Sequence, residues 1–309
     1  MQLTRIDTPG PGRDFIGYGR ERPRFTWPGG VVAVNLVINY EEGSEYSWVF
    51  GDGRGEAAGE IGYADPPERD LHVESVFEYG TRAGVWRLLR LLDEYDTRAT
   101  FFACAAAVEQ NPQVGAWIQS SGNDVVSHGW RFTEHWKLTE EQEREHIWRA
   151  ADSLERTCGQ RPVGWYSRYA PSINTRRLLV EDGRFLYDSD ACNDDVPYFT
   201  EIGGREHLVV PYNTLPYNDA RFVTPSGYSA GSDFVEACTR AIDELRHEGH
   251  AGFGGLLTIG LHARFMGQPA RVAALRELIE YGLGLGDVWF ARRLDVARFW
   301  LENRPGDDS

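Results

Sequence analysis

The chain predicts a mixed α/β fold in which parallel strands form a barrel-like sheet wrapped by helices, and three observations carry that expectation. Short apolar runs alternate with capped amphipathic segments from residue 31 almost to the end of the 309-residue sequence. The polar clusters Asn39-Tyr40-Glu41-Glu42-Gly43, Ser127-His128-Gly129-Trp130-Arg131, Trp165-Tyr166-Ser167-Arg168 and Ile259-Gly260-Leu261-His262-Ala263-Arg264 each stand where such a run ends. An apolar content of 41% over this length is enough to fill one large core.

Taken in order, residues 1–30 are rich in Pro, Gly and Arg and read as an arm without regular structure, followed by a single catalytic domain over 31–309. The run 31–38 is the first strand. Residues 43–73 form an insertion too long for a simple connector, of the kind that shapes the mouth of a site. Residues 73–95 carry Val76, Val85, Leu88, Leu89 and Leu92 at helical spacing, interrupted by Gly80 and Gly84, and feed a strand at 98–102. Asn111-Pro112 opens a helix that Gly122 stops, before a strand at 124–127. Thr139, with Gln142 three residues on, predicts a capped helix to Cys158. Strands then follow at 164–166, 185–188, 208–211, 256–261 and 288–290. The helices between and after them are expected at 174–182, 233–248, 270–283 and 294–301.

Composition narrows the function. A formal net charge of −15 argues against nucleic acid and anionic membranes as partners, since both need a basic face. No stretch approaches the roughly 20 apolar residues of a membrane span, and Met1-Gln2-Leu3-Thr4-Arg5-Ile6-Asp7 lacks the apolar centre of a signal peptide, so a cytoplasmic protein with a small-molecule substrate is expected. Cys104, Cys158, Cys192 and Cys238 are scattered without metal-type spacing and receive no role.

Several of these segments together resemble the polysaccharide deacetylase (NodB-homology) superfamily, and within it the branch of cytoplasmic allantoinases and cyclic-imide hydrolases. The likeness runs from Asp14-Phe15-Ile16-Gly17-Tyr18-Gly19 to Arg292-Arg293-Leu294-Asp295. It includes the Glu41-Glu42 cluster, Tyr79-Gly80-Thr81-Arg82-Ala83-Gly84-Val85-Trp86-Arg87, Ser127-His128-Gly129, Asn174-Thr175-Arg176-Arg177-Leu178 and Ile259-Gly260-Leu261-His262. The resemblance implies a distorted, incomplete (β/α) barrel, a homo-oligomer (a tetramer in relatives), and hydrolysis of amide-type bonds other than peptides. It also implies two aspartates, one a base and one a metal ligand, and two histidines four residues apart on the same metal. Here Glu41 and Glu42 stand at the aspartate positions and His128 at the first histidine, but Phe132 occupies the second.

That departure leaves two readings. If a zinc or another divalent metal binds, Glu42 and His128 supply ligands and a third must come from elsewhere, such as His135 or His72. The other reading, preferred here, needs no cofactor: Glu41 is the general base, Glu42 orients water or substrate, and His262 is the general acid for the leaving nitrogen. Repulsion between adjacent glutamates should raise the pKa of one of them. Arg131, Arg168 and Arg264 are candidates for the oxyanion and ring carbonyls, Trp130 or Trp165 for an apolar wall, and Asp195 for orienting an arginine or histidine. The expected reaction is ring-opening of a small cyclic amide such as allantoin, a hydantoin or a cyclic imide. The alternatives are metal-dependent deacetylation of an N-acetyl sugar and a family member that binds without turnover.

Overall fold

A computed structural model describes residues 8–57 and 66–306; the tip of the expected insertion at 58–65, the first residues of the arm and residues 307–309 lie outside it. The strands are β1 (Val32–Tyr40), β2 (Thr100–Ala103), β3 (Asp124–Ser127), β4 (Gly164–Trp165), β5 (Tyr187–Asp188), β6 (Tyr198–Ile202), β7 (Arg205–Val209), β8 (Gly255–His262) and β9 (Val288–Phe290). They form one sheet in the order β6-β7-β5-β4-β3-β2-β1-β8, all parallel except the β6–β7 hairpin. β1 is buried along its whole length because it has neighbours on both edges: β8 on one, and on the other β2 along its C-terminal half and β9 beside Val32–Val34. Among the described residues the sheet does not close by strand pairing. Between its end strands, the gap is crossed by single contacts, Leu256 N–H to the Asp195 carbonyl and a bridge from Asn218 to Gly260.

Helices α1 (Leu71–Tyr79), α2 (Val85–Glu94), α3 (Ala105–Gln110), α4 (Pro112–Ser121), α5 (Glu140–Cys158), α6 (Thr175–Asp182), α7 (Gly231–His250), α8 (Ala263–Met266), α9 (Pro269–Leu285) and α10 (Arg293–Asn303) complete the chain. The capping box expected at α5 is present, with Thr139 and Gln142 bonding reciprocally. The expected helix over 73–95 is two helices joined by a wide π turn, Gly80–Gly84, a departure that the two glycines permit. Three elements escape the periodic pattern: α3, one turn and a half of alanine-rich chain, the hairpin strand β6, and α8 directly after β8. The arm is also not wholly loose, since Trp27 is buried against Phe25, Phe299 and Trp300 and donates its indole N–H to the Gly255 carbonyl at 2.8 Å.

Candidate active site

Parallel strands deliver their C-terminal residues to one rim, and there the ends of β1, β3, β4 and β8 bring Glu41, His128, Arg168 and His262 together. The Glu41 carboxylate is the centre. Its Oε1 lies 3.3 Å from His128 Nε2 and 4.0 Å from His262 Nε2. Arg168 Nε is 2.9 Å from the same oxygen, an ion pair whose N–H is not aligned for a hydrogen bond. Oε2 accepts from Arg264 Nη1 at 2.9 Å. Burial alone would raise the pKa of Glu41, but Arg168 and Arg264, with the bond from His128, hold it well below the usual carboxylate range.

Glu42 has a different environment. Its Oε1 accepts from the Arg264 backbone N–H at 3.0 Å and lies 3.4 Å from Arg264 Nη1, while Oε2 accepts from the Glu41 N–H at 3.2 Å. The carboxyl packs into the π turn, where a Cβ on Gly80 would come within 2.6 Å of it, so only glycine leaves it room. Burial raises the pKa of Glu42 against the pull of Arg264, and the charge on Glu41 adds to the rise. The expectation that one glutamate of the pair would be raised therefore holds for Glu42, while Glu41, named as the base, is shifted the other way.

His128 is held by backbone on both sides: its N–H bonds the Ala103 carbonyl, its Nδ1 faces the Tyr166 carbonyl at 2.8 Å, and its ring stacks on Tyr166 with an interplanar angle of 8°. A carbonyl and a carboxylate both only accept, so the ring serves both contacts at once only with a proton on each nitrogen; the neutral ring, which burial favours, donates to one of them. Behind it Gly129, at φ +84°, lets the Trp130 N–H reach His146 Nε2 at 2.9 Å. His262 Nδ1 bonds Asp219 Oδ1 at 2.6 Å, and Asp219 Oδ2 accepts from the backbone N–H groups of His262 and Met266. This is a carboxylate–imidazole pair with Nε2 turned toward Glu41, the arrangement that fixes a tautomer for proton transfer.

The other expected contacts do not converge here. Trp165 is fully buried in a separate core cluster and donates to Ser167 Oγ, so it is no wall of the site. Trp130 lies beneath Arg149, with 3.6 Å from the guanidinium carbon to its ring. Arg131 is committed to Asp52 at 2.6 Å and the Glu45 carbonyl, tying down the insertion rather than facing Glu41. Asp195 accepts from Asn213 and orients neither an arginine nor a histidine among the described residues. His135 is buried with Glu143 and His146, near enough to His128 to feel its charge but in no ion pair with Glu41, and His72 sits at the start of α1 on the exposed surface. Asp219, Tyr166 and His146 were missed. Asp219 lies in a stretch without periodicity, Tyr166 acts through its ring face and its carbonyl, and His146 through an Nε2 that accepts from the Trp130 N–H, contacts that spacing does not reveal.

The donors do not fit a metal centre of the two-histidine kind. Phe132 is buried at the second histidine position, Glu42 is turned into the π turn and away from His128, and both oxygens of Glu41 already face arginines. Among the described residues no group of three or more His, Cys, Asp or Glu side chains is placed to hold a metal ion.

Residues 66–181 match the model of the polysaccharide deacetylase family. Over 315 aligned residues the chain is 34% identical to a Schizosaccharomyces pombe protein named "Putative polysaccharide deacetylase", spanning 95% of this chain and 98% of the relative. The chain belongs to the polysaccharide deacetylase family. Its fold matches the crystal structure of a "probable Polysaccharide deacetylase" from Pseudomonas aeruginosa PAO1 with a TM-score of 0.90 and 43% identity, covering 95% of this chain and 99% of that one. It matches that of PuuE allantoinase equally well, with a TM-score of 0.90 and 43% identity over 97% of this chain and 99% of the other. The incomplete barrel expected from the resemblance is thus the family's, and the protein is a hydrolase acting on carbon–nitrogen bonds other than peptide bonds. No helix among the described residues is long and apolar enough to cross a membrane.

Proposed function

We propose that this family member opens a small cyclic amide, of the allantoin, hydantoin or cyclic-imide class, by hydrolysis without a bound metal ion. The observation that carries the reading is the convergence of His128, His262, Arg168 and Arg264 on the Glu41 carboxylate, which leaves that carboxylate paired to cations rather than open to a metal. The 43% likeness to PuuE allantoinase over nearly the whole chain supports the substrate class. In the reaction, water oxygen adds to the ring carbonyl carbon, the carbon–nitrogen bond breaks, and the proton lost by water ends on the leaving nitrogen.

A carboxylate held far below neutral pH is a weak proton acceptor, so Glu41 orients the water and balances the arginine charge. His262, fixed through Nδ1 by Asp219, takes the water's proton on Nε2 and returns it to the ring nitrogen. The guanidinium groups steady the oxyanion.

The test is a panel of allantoin, hydantoin, dihydrouracil and succinimide, followed spectroscopically for ring opening in the presence and absence of a chelator. Turnover of at least one member, insensitive to chelation, is expected; Glu41→Gln and His262→Ala should each lower it by roughly 100-fold or more while the protein stays folded. Release of acetate from an acetylated chito-oligosaccharide, with no ring opened, would replace this reading with sugar deacetylation.

A further inference from the structure

We propose that the Arg168 guanidinium, held between the Phe132 ring and the Glu41 carboxylate, takes the place of a divalent cation in this chain: it presents the positive charge to the attacked carbonyl oxygen and bars a metal ion from the site. The substrate half of this statement rests on the hydrolytic reading above; the metal-excluding half does not.

The seat is built from the residue that breaks the histidine pair. Phe132 is buried, its backbone N–H bonds the Ser44 carbonyl at 2.9 Å, and its ring meets Phe77 and Tyr169 edge-on, so the ring cannot swing away. The guanidinium carbon of Arg168 lies 3.7 Å from the centre of that ring, within cation–π range. An imidazole at position 132 would offer this cation a poorer face and, when protonated, would repel it.

The two arginines of the site differ in what they leave available. Arg264 is more deeply buried, its Nη1 is committed to Glu41 and close to Glu42, and its guanidinium packs between Phe77 and Phe265. Arg168 turns Nε toward Glu41, and no hydrogen bond among the described residues engages its Nη1 or Nη2. Its side chain is 18% exposed against 7% for Arg264, so its outer edge is the cationic surface a substrate meets. A planar fork of two N–H donors beside the water-orienting carboxylate suits an oxygen gaining negative charge. A dication placed between Glu41 and His128 would sit against both guanidinium groups, and like-charge repulsion would oppose its binding.

Zinc binding by the purified protein decides the matter without reference to catalysis. After dialysis against zinc and removal of the excess, wild type and Phe132→His are expected to retain none by elemental analysis. The double variant Phe132→His/Arg168→Ala should retain about one zinc per chain, with Glu41, His128 and the introduced imidazole as three protein ligands. Stoichiometric zinc in wild type, or binding by Phe132→His as tight as by the double variant, would show that the Arg168 charge excludes nothing. A folded double variant, checked by circular dichroism, that stays empty would also overturn the proposal.

If the double variant does not fold, Arg168→Ala alone supplies the second reading. Low-millimolar guanidinium ion should restore its ring-opening rate about tenfold or more, and failure of rescue in a folded variant counts against the proposal. Absence of ring opening in wild type would remove the cyclic-amide reading and leave the zinc result to stand by itself.

Discussion

Glu41 and Glu42 are adjacent in the chain and chemically identical, yet their surroundings drive them in opposite directions. The end of β1 turns one side chain toward two arginines and two histidines, and the other into the Gly80 turn. The sequence announced the pair because two acids close an apolar strand; which one faces the histidines depended on side chains more than 80 residues away. Asp219 makes the same point more sharply. Nothing local marks it, yet it holds His262 by ring and backbone at once. Asp219→Asn would place an amide N–H₂ or a single carbonyl where two carboxylate oxygens now accept three N–H groups, favouring the wrong tautomer of His262. A fall in kcat of roughly 10²- to 10⁴-fold with little change in KM is expected from steady-state kinetics on a folded variant; unchanged kcat would remove His262 from proton transfer.

At the scale of the element, α5 shows how a helix that touches no substrate supports the site. Its capping box fixes where it begins, and from there Glu143 and His146 fall on one face, three residues apart. His146 accepts from the Trp130 N–H just beyond His128, and the adjacent His135 has no hydrogen-bond partner for either ring nitrogen among the described residues. Burial pushes His135 down to about 4 and His146 to about 3 from an ordinary 6.5. Because the folded values lie below the unfolded one, the unfolded chain takes up protons first as pH falls. The associated stability is therefore complete above pH 6.5 and is lost as pH descends toward these values. His135→Phe removes one such group, so urea unfolding at pH 7 and pH 4.5 should show an acid-induced loss of stability smaller by about 2 to 3 kcal/mol than in wild type. An identical loss in both proteins would show that His135 is not neutral and buried in solution.

For the whole molecule the question is what stabilises a barrel that strand pairing leaves open. Arg293, fully buried at the start of α10, answers it. Its guanidinium donates to Asn35 Oδ1 from β1 at 2.9 Å, to Ser189 Oγ beyond β5 at 2.7 Å, to Thr258 Oγ1 from β8 at 3.3 Å, and to the carbonyls of Val210 and Pro211 beyond β7. No carboxylate is among these partners; the charge is met by oriented dipoles, and the side chain spans the interval that the sheet order leaves unpaired. Arg293→Ala would strand several buried acceptors around a cavity and should cost more than about 3 kcal/mol in denaturant unfolding. A cost below about 1 kcal/mol would mean that the open side is held by other contacts.

The alternation of strands and helices, the capping of α5, the interruption at Gly80 and Gly84, and the grouping of Glu41, His128, Arg168, His262 and Arg264 at strand ends were legible from residue order, because each follows from a local period, a cap or a position after an apolar run. Trp130, Trp165, Arg131 and Asp195 were misplaced on the same grounds, since sitting beside a strand end does not say which face a side chain takes. The Asp219 carboxylate behind His262, the Phe132 ring beneath Arg168 and the reach of Arg293 across the sheet join residues between 36 and 258 positions apart. Such contacts come from the curl of the sheet, which sets distant strands side by side, and no periodicity within one segment encodes them.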